Sequence, residues 1–270
     1  MQTAQSLTSM SGLPRLEARM LLELVLGKPR EWLLAHDTDP LDPEAAARFL
    51  TMAAQRRQGI PMAHLVGHRE FMGHRLSVSA EVLIPRPETE LLVEMALQSL
   101  PDGANCSLLD LGTGSGAVAI SVALARPKVR VVATDLSETA IAVAQQNAHQ
   151  LSASVQFWQG NWYEALPPEG RFDVVVSNPP YIALDDPHLS QGDLRFEPVG
   201  ALTDGADGLM ALRHIVSGAP HRLNAGGWLW LEHGFEQGED VAQLLLDAGF
   251  NAVHTKQDLA GLPRITGGSL

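Results

Sequence analysis

Asn178, Pro179, Pro180 and Tyr181 follow one another directly after an apolar run over 173–177. Asn178 offers a side-chain carbonyl oxygen, and Pro179 a backbone carbonyl with no N–H of its own, so the pair can accept both protons of one planar NH2 group. Pro180 stiffens the turn that aims them, and Tyr181 supplies a flat face for a planar amide or base. An amide nitrogen is a weak nucleophile because its lone pair is delocalised. A catalyst that alkylates it must hold the NH2, point the lone pair along the line of attack and stabilise the positive charge appearing on nitrogen. Acceptors are needed for this, not a strong base. The plain alternative is a rigid Asn-Pro turn closing a strand, and the residues upstream decide between the two.

Upstream, an apolar run over 108–111 leads into Gly112, Thr113, Gly114, Ser115 and Gly116, after which a helix begins. Gly112 and Gly114 permit a tight turn and close approach of a ligand to the backbone, and Gly116 permits close packing of the helix. Asp135 ends the next apolar run, where a carboxylate can accept hydrogen bonds from both hydroxyls of a ribose. The spacing predicts an adenosine site at the carboxyl ends of parallel strands. After the third run, Asn161 can meet an adenine edge and Trp162 can stack on its face; a core tryptophan is the plain alternative. Gly112, Gly114 and Ala117 also satisfy the dinucleotide pattern of a dehydrogenase, which leaves Asn178 to Tyr181 unexplained. With those residues following the fourth strand, beside the glycine loop, the reading is an S-adenosylmethionine-dependent methyltransferase acting on an amide or amine nitrogen.

These residues need a frame. Residues 14–26 and 43–58 carry apolar side chains at helical spacing, the first stopped by Gly27 and Pro29, the second started by Asp42 and Pro43. A short hairpin with its turn at Gly73-His74 follows, and the chain then passes through Pro85 and Pro87 into a helix over 89–99 that Thr89 can cap. Beyond it, strands over 108–111, 129–134, 155–158, 173–177 and 228–232 alternate with helices, one of them over 207–223, and two adjacent strands, 251–257 and 263–266, close the chain. This predicts an α/β fold, a seven-stranded, mostly parallel, doubly wound sheet, preceded by a small helical domain. The boundary is placed at residue 83: residues 1–83 as a helical domain ending in the short hairpin and 84–270 as the methyltransferase domain.

Composition narrows the partners. The formal net charge is −12, and residues 1–83, with 9 Lys/Arg against 9 Asp/Glu, contribute none of it. An acidic catalytic half is a poor grip for a nucleic-acid backbone, so no direct nucleic-acid binding is expected and an adenine-N6 methyltransferase is disfavoured. Cys106 is the only cysteine, which rules out an intrachain disulfide. His64 and His68 stand four apart with His74 nearby, but Gly67 and Gly73 argue against a regular helix there and no Glu completes a zincin pattern, so no metal is expected. Glu232-His233 could be an acid/base pair or a hydrogen-bonded pair at a strand end. The polar start and the lack of a long apolar run point to a cytoplasmic protein with no membrane partner.

Essentially the whole chain resembles the protein-(glutamine-N5) methyltransferases of peptide chain release factors, the HemK family. The residues that carry the resemblance are Ile84-Pro85-Arg86-Pro87-Glu88-Thr89-Glu90, Asp110 to Gly116, Ser177 to Ile182, Arg195-Phe196-Glu197-Pro198, Glu232-His233-Gly234 and Asp258-Leu259-Ala260-Gly261. The resemblance implies that Gly112, Thr113, Gly114, Ser115, Gly116, Asp135, Trp162 and Asn178 contact S-adenosylmethionine. It implies that Asn178, Pro179, Pro180 and Tyr181 hold the glutamine of a Gly-Gly-Gln loop, and that the helical domain docks the release factor. The chain departs from the family at His64, where tyrosine is usual, and at Asn161, where an acid is frequent. A glutamine methyltransferase acting on a ribosomal protein, and a non-catalytic binder of a release factor, are the other readings.

Overall fold

The computed structural model describes residues 1–100 and 106–270. The chain divides into two compact units, Met1–His68 and Arg69–Leu270. In the first, α1 (Ala4–Met10), α2 (Arg15–Leu26), α3 (Arg30–Ala35), α4 (Pro43–Arg57) and α5 (Met62–Val66) enclose a core that includes Leu7, Leu21, Leu22 and Phe49. α4 begins with the expected cap: the Asp42 carboxylate accepts from the Ala45 N–H at 3.0 Å, with Pro43 at the first helical position. The short α1, α3 and α5 were not expected. At 7, 6 and 5 residues they show too little of a helical period to be read, and such helices persist only where tertiary packing covers them.

The hairpin of β1 (His68–Phe71) and β2 (His74–Ser77) starts at the junction. Its turn lies one position earlier than 73–74, at Met72-Gly73, where φ values of 49° and 73° match the right-handed twist of the paired strands. Phe71 and Leu76 are buried with Leu92 and Ala96 in the second unit's core. Burial of those side chains puts the division between the compact units after His68, ahead of residue 83.

The second unit continues with α6 (Glu90–Ser99), β3 (Ser107–Leu111), α7 (Ala117–Ala125), β4 (Arg130–Asp135), α8 (Glu138–Leu151), β5 (Val155–Gln159), β6 (Phe172–Ser177), α9 (Val199–Leu202), α10 (Met210–Gly218), β7 (Leu223–Glu232), α11 (Gly238–Asp247), β8 (Asn251–Gln257) and β9 (Pro263–Ser269). The seven-stranded sheet has the order β5-β4-β3-β6-β7-β9-β8; β9 runs antiparallel to β7 and β8, and the other neighbours are parallel. Successive residues of a strand face opposite sides, and both sides are covered. Leu108 and Val131 pack with Leu92 of α6 and Ile120 of α7. Leu109 and Val132 pack with Leu212 of α10 and Leu245 of α11. The helix read over 207–223 is shorter than expected, because α10 gives way to a 3-10 turn at Ala219–His221 that contains Pro220. β7 starts before residue 228, with Gly226 at φ 76° where the register against β6 shifts. Among the described residues no helix is long and apolar enough to cross a membrane.

Candidate active site

The chain lays β4 and β5 on one side of β3, then returns to lay β6 and β7 on the other. At such a reversal the loops leaving the two central strands diverge, and a crevice opens at their carboxyl ends. Leu111 pairs with Ser177, and the Ser177 hydroxyl donates to the Leu111 carbonyl at 2.7 Å. Gly112 and Asn178 therefore leave the sheet side by side. The crevice is a cavity of about 740 Å³ whose wall includes Gly112, Thr113, Gly114, Ser115, Asp135, Trp162, Asn178 and Pro180. That size suits a nucleoside-like ligand.

Gly116, Pro179 and Tyr181 lie outside that wall. Gly116 has φ 84°, and a Cβ there would come within 2.7 Å of the Ile120 side chain and 3.1 Å of the Ala144 Cβ, so this glycine serves the packing of α7 against α8. Gly112, at φ 71°, lies under the Trp162 ring, where a Cβ would sit 3.2 Å from the indole. Two buried groups hold the loop. Asp110 accepts from the Thr113 hydroxyl at 2.7 Å and the Ala119 N–H at 3.2 Å. Asn147 of α8 donates to the Ser115 carbonyl at 2.9 Å. Burial, with the Asp135 charge adding to it, pushes the Asp110 carboxyl up to about 6. Asp135 accepts from the Gly114 N–H at 2.8 Å and the Ser137 N–H at 2.9 Å, and burial raises its carboxyl too. Its four lone-pair sites leave capacity for ribose hydroxyls.

At the mouth of β6, the Asn178 Nδ2 donates to the Thr89 hydroxyl at 3.2 Å. Its Oδ1 has no hydrogen-bond partner among the described residues. Thr89 was expected to cap α6, but its backbone is helical and its side chain makes no capping bond; the hydroxyl is turned to Asn178 instead. Pro179 and Tyr181 border a second, smaller hollow of about 50 Å³, together with Leu83, Arg86, Ile182 and Leu194. Arg86 ion-pairs with the buried Glu197, whose other oxygen accepts from the Ile84 N–H at 3.1 Å. This clamp joins the proline-rich segment to the Arg195-Phe196-Glu197-Pro198 segment and fixes one wall of the hollow.

Glu232 and His233 do not pair with each other. The Tyr181 hydroxyl donates to Glu232 Oε1 at 3.3 Å, and burial pushes the Glu232 carboxyl up to about 7. His233 Nδ1 lies 2.8 Å from the Gly234 carbonyl and Nε2 2.7 Å from the Thr266 hydroxyl; burial, helped by the Arg264 charge and opposed by the Gly234 bond, lowers the imidazole pKa. Residue types alone identify neither Thr89 nor Glu232 as part of the site, because the contacts that join them to Asn178 and Tyr181 come from three separate stretches of chain.

Residues 87–190 match the family profile of the Methyltransferase small domain, and residues 1–67 that of the PrmC N-terminal domain. The chain is 59% identical to the release factor glutamine methyltransferase of Bordetella pertussis, over 96% of each chain. It is 50% identical to the enzyme of that name from Burkholderia pseudomallei, over 99% of this chain and 96% of the other. A crystal structure of a methyltransferase from Pyrococcus furiosus shares the fold, with a TM-score of 0.54 and 19% identity over 73% of this chain and 88% of its own. Identity at this level along nearly the full length, with the glycine loop and the Asn178 turn meeting at one crevice, places this chain in the release factor glutamine methyltransferase family.

Proposed function

We propose that the chain transfers the methyl group of S-adenosylmethionine to the side-chain amide nitrogen, N5, of the glutamine in the Gly-Gly-Gln motif of peptide chain release factors. The observation that carries the reading is the setting of Asn178: its NH2 is held by Thr89, which leaves Oδ1 as an acceptor at the cavity wall. Relatives 59% and 50% identical to this chain are named release factor glutamine methyltransferases.

The residues fit the cofactor. Gly112, having no side chain, lets the Trp162 ring lie against the glycine loop at the cavity wall, where a Cβ would come 3.2 Å from the indole. Asp135 stands at the end of β4 facing the cavity, placed for ribose hydroxyls, and Asp110 and Asp135 give the cavity negative charge. S-adenosylmethionine supplies an electrophilic methyl carbon on a positively charged sulfur. Trp162 and Asn161 both line the cavity, where the indole would stack on the adenine and the Asn161 amide would meet its edge. Asn178 Oδ1 and the Pro179 carbonyl accept the two N–H protons of the glutamine amide, which turns the nitrogen lone pair toward the cavity. As nitrogen takes on positive charge both contacts strengthen, so they stabilise the transition state more than the ground state. The proton then leaves a strongly acidic N-alkylated amide to water, without a strong base. Tyr181 packs along the acceptor, its hydroxyl anchored on Glu232.

The helical unit provides docking surface for the release factor, and such a substrate places the reaction in the cytoplasm. The test is to incubate the protein with methyl-labelled S-adenosylmethionine and, separately, a release factor, a ribosomal protein and DNA. Label should enter the release factor and map to the Gly-Gly-Gln glutamine. Label on the ribosomal protein or on DNA, with none on the release factor, would overturn the assignment.

A further inference from the structure

The acceptor geometry above leaves one buried acid without a role. Glu232 ends β7 at 1% exposure. Its Oε1 accepts from Tyr181, while Oε2 is buried with no partner at ordinary hydrogen-bond geometry. The Thr89 hydroxyl makes no bond to either carboxylate oxygen at ordinary geometry, yet it lies near enough to be foremost among the groups that offset the burial of that charge. Thr89 is itself 4% exposed, and it is the same hydroxyl that accepts the Asn178 NH2. Glu232, Thr89 and Asn178 thus form a chain of polar groups that begins in the core and ends at the cavity wall.

The direction of hydrogen bonding along that chain is set at the buried end. A hydroxyl has one proton to give. While Glu232 is a carboxylate it can only accept, so the Thr89 proton goes to Glu232 and Thr89 has lone pairs alone to offer Asn178. Asn178 must then present its NH2 to Thr89 and its Oδ1 to the cavity. If Glu232 carries a proton and gives it to Thr89, the Thr89 proton is released and can go to Asn178 Oδ1. The flipped carboxamide is then permitted, and it would set NH2 against the NH2 of the substrate, donor against donor.

We propose that Glu232 is a positioning residue: acting through the Thr89 hydroxyl, its carboxylate fixes which end of the Asn178 carboxamide faces the acceptor amide. This rests on the reading of Asn178 Oδ1 as a substrate acceptor. The charged and titratable groups around Glu232 are Arg264 from β9, Glu88 from the turn before α6, Tyr181 after β6, and His233 next in the chain. Arg264 favours the carboxylate and Glu88 opposes it, while Arg264 is partly drawn off by Asp258 at 3.0 Å. With burial dominant, the switch between the two hydrogen-bond directions falls at about 7, so the locked arrangement prevails above that pH.

The experiment is single-turnover methylation of a release factor by the full chain, at saturating S-adenosylmethionine, from about pH 5.5 to about pH 8.5. The wild-type rate should fall as pH drops through about 7. Glu232→Gln, which can donate to Thr89 at every pH, should be slower by about tenfold above the switch and should lack that step. Thr89→Val should be slowed by a similar factor, and Thr89→Ser, which keeps the hydroxyl, should be close to wild type. Cofactor dissociation constants should stay within about twofold throughout, whereas a merely structural loss would move them with the rate. If Glu232→Gln does not fold, the Val and Ser variants of Thr89 decide alone: equal rates in those two overturn the proposal. Wild-type rate and pH profile in Thr89→Val and Glu232→Gln, with Asn178→Ala inactive, would refute the positioning role and leave the acceptor reading standing. Wild-type activity in Asn178→Ala would sink the acceptor reading itself.

Discussion

Alanine at position 116 and alanine at position 114 test whether the loop glycines do different work. Both positions have left-handed backbone, φ 84° and φ 55°, and an L side chain there costs about 1–2 kcal/mol. At Gly114 a Cβ meets nothing within 4 Å, so stability should fall by little more than that. At Gly116 the added carbon would lie 2.7 Å from the Ile120 Cδ1 and 3.1–3.3 Å from the Cβ and Cα of Ala144. Ile120 can rotate away, but Ala144 belongs to α8 and moves only with its helix. Overpacking of this kind adds about 1–3 kcal/mol, for a total of roughly 2–5 kcal/mol. With a urea m-value of about 2–3 kcal/mol/M, the Gly116→Ala midpoint should drop by about 1–2 M, against less than about 1 M for Gly114→Ala. Tryptophan fluorescence is a suitable probe, because Trp158, Trp162, Trp228 and Trp230 all lie in the second unit. Cofactor affinity should behave the opposite way. Gly114→Ala projects a methyl group into the cavity and should lose affinity by at least about tenfold, the effect of blocking close backbone approach. The folded fraction of Gly116→Ala should bind within a few-fold of wild type. Equal midpoint shifts, or a Gly116→Ala protein that is stable but unable to bind, would refute the division of labour.

Two further outcomes follow from the buried charges. Asp110 has its carboxyl raised from 3.8 to about 6, so its contribution to stability is full below the unfolded value and is lost as pH rises through about 6. Asp110→Asn keeps the acceptor but removes that loss. Its stability relative to wild type should therefore climb between about pH 4 and about pH 6, by up to about 3 kcal/mol, as read from urea melts; a flat difference would refute the shift. Arg86→Ala leaves Glu197 with a buried carboxylate and no cation, and should cost on the order of 3 kcal/mol in the same melts. It should also raise KM for the release factor more than for the cofactor, and unchanged stability would show that the clamp holds nothing.

Much of the sheet was legible because its strands are near-continuous apolar runs ending in turn residues, and because the βα alternation leaves few topologies open. The glycine loop and Asn178 could be placed together once β3 and β6 were read as neighbours, as their direct pairing bears out. What failed to show depended on long-range packing. Phe71 and Leu76 read as a hairpin closing the helical domain, yet their side chains are buried in the second core. Thr89 has the composition and position of a helix cap, yet its hydroxyl is claimed by Asn178, which is distant in sequence and adjacent in space. Gly116 reads by spacing as a glycine that lets its helix pack closely, but the neighbour it packs against, Ala144 in the following helix, carries no signal in the sequence. Asn147 carries no sequence signal, although its side-chain NH2 holds the Ser115 carbonyl at 2.9 Å and the Ser77 carbonyl at 3.0 Å.

The central claim is that Asn178 makes a sluggish amide reactive by holding it. The most direct measurement is the single-turnover rate of Asn178→Ala with cofactor and release factor both saturating, alongside the dissociation constant of each. Removal of one oriented acceptor should slow transfer by about a hundredfold to a thousandfold while cofactor affinity changes by no more than a few-fold. A rate within about threefold of wild type at full occupancy, with methyl still delivered to the same glutamine nitrogen, would contradict the claim.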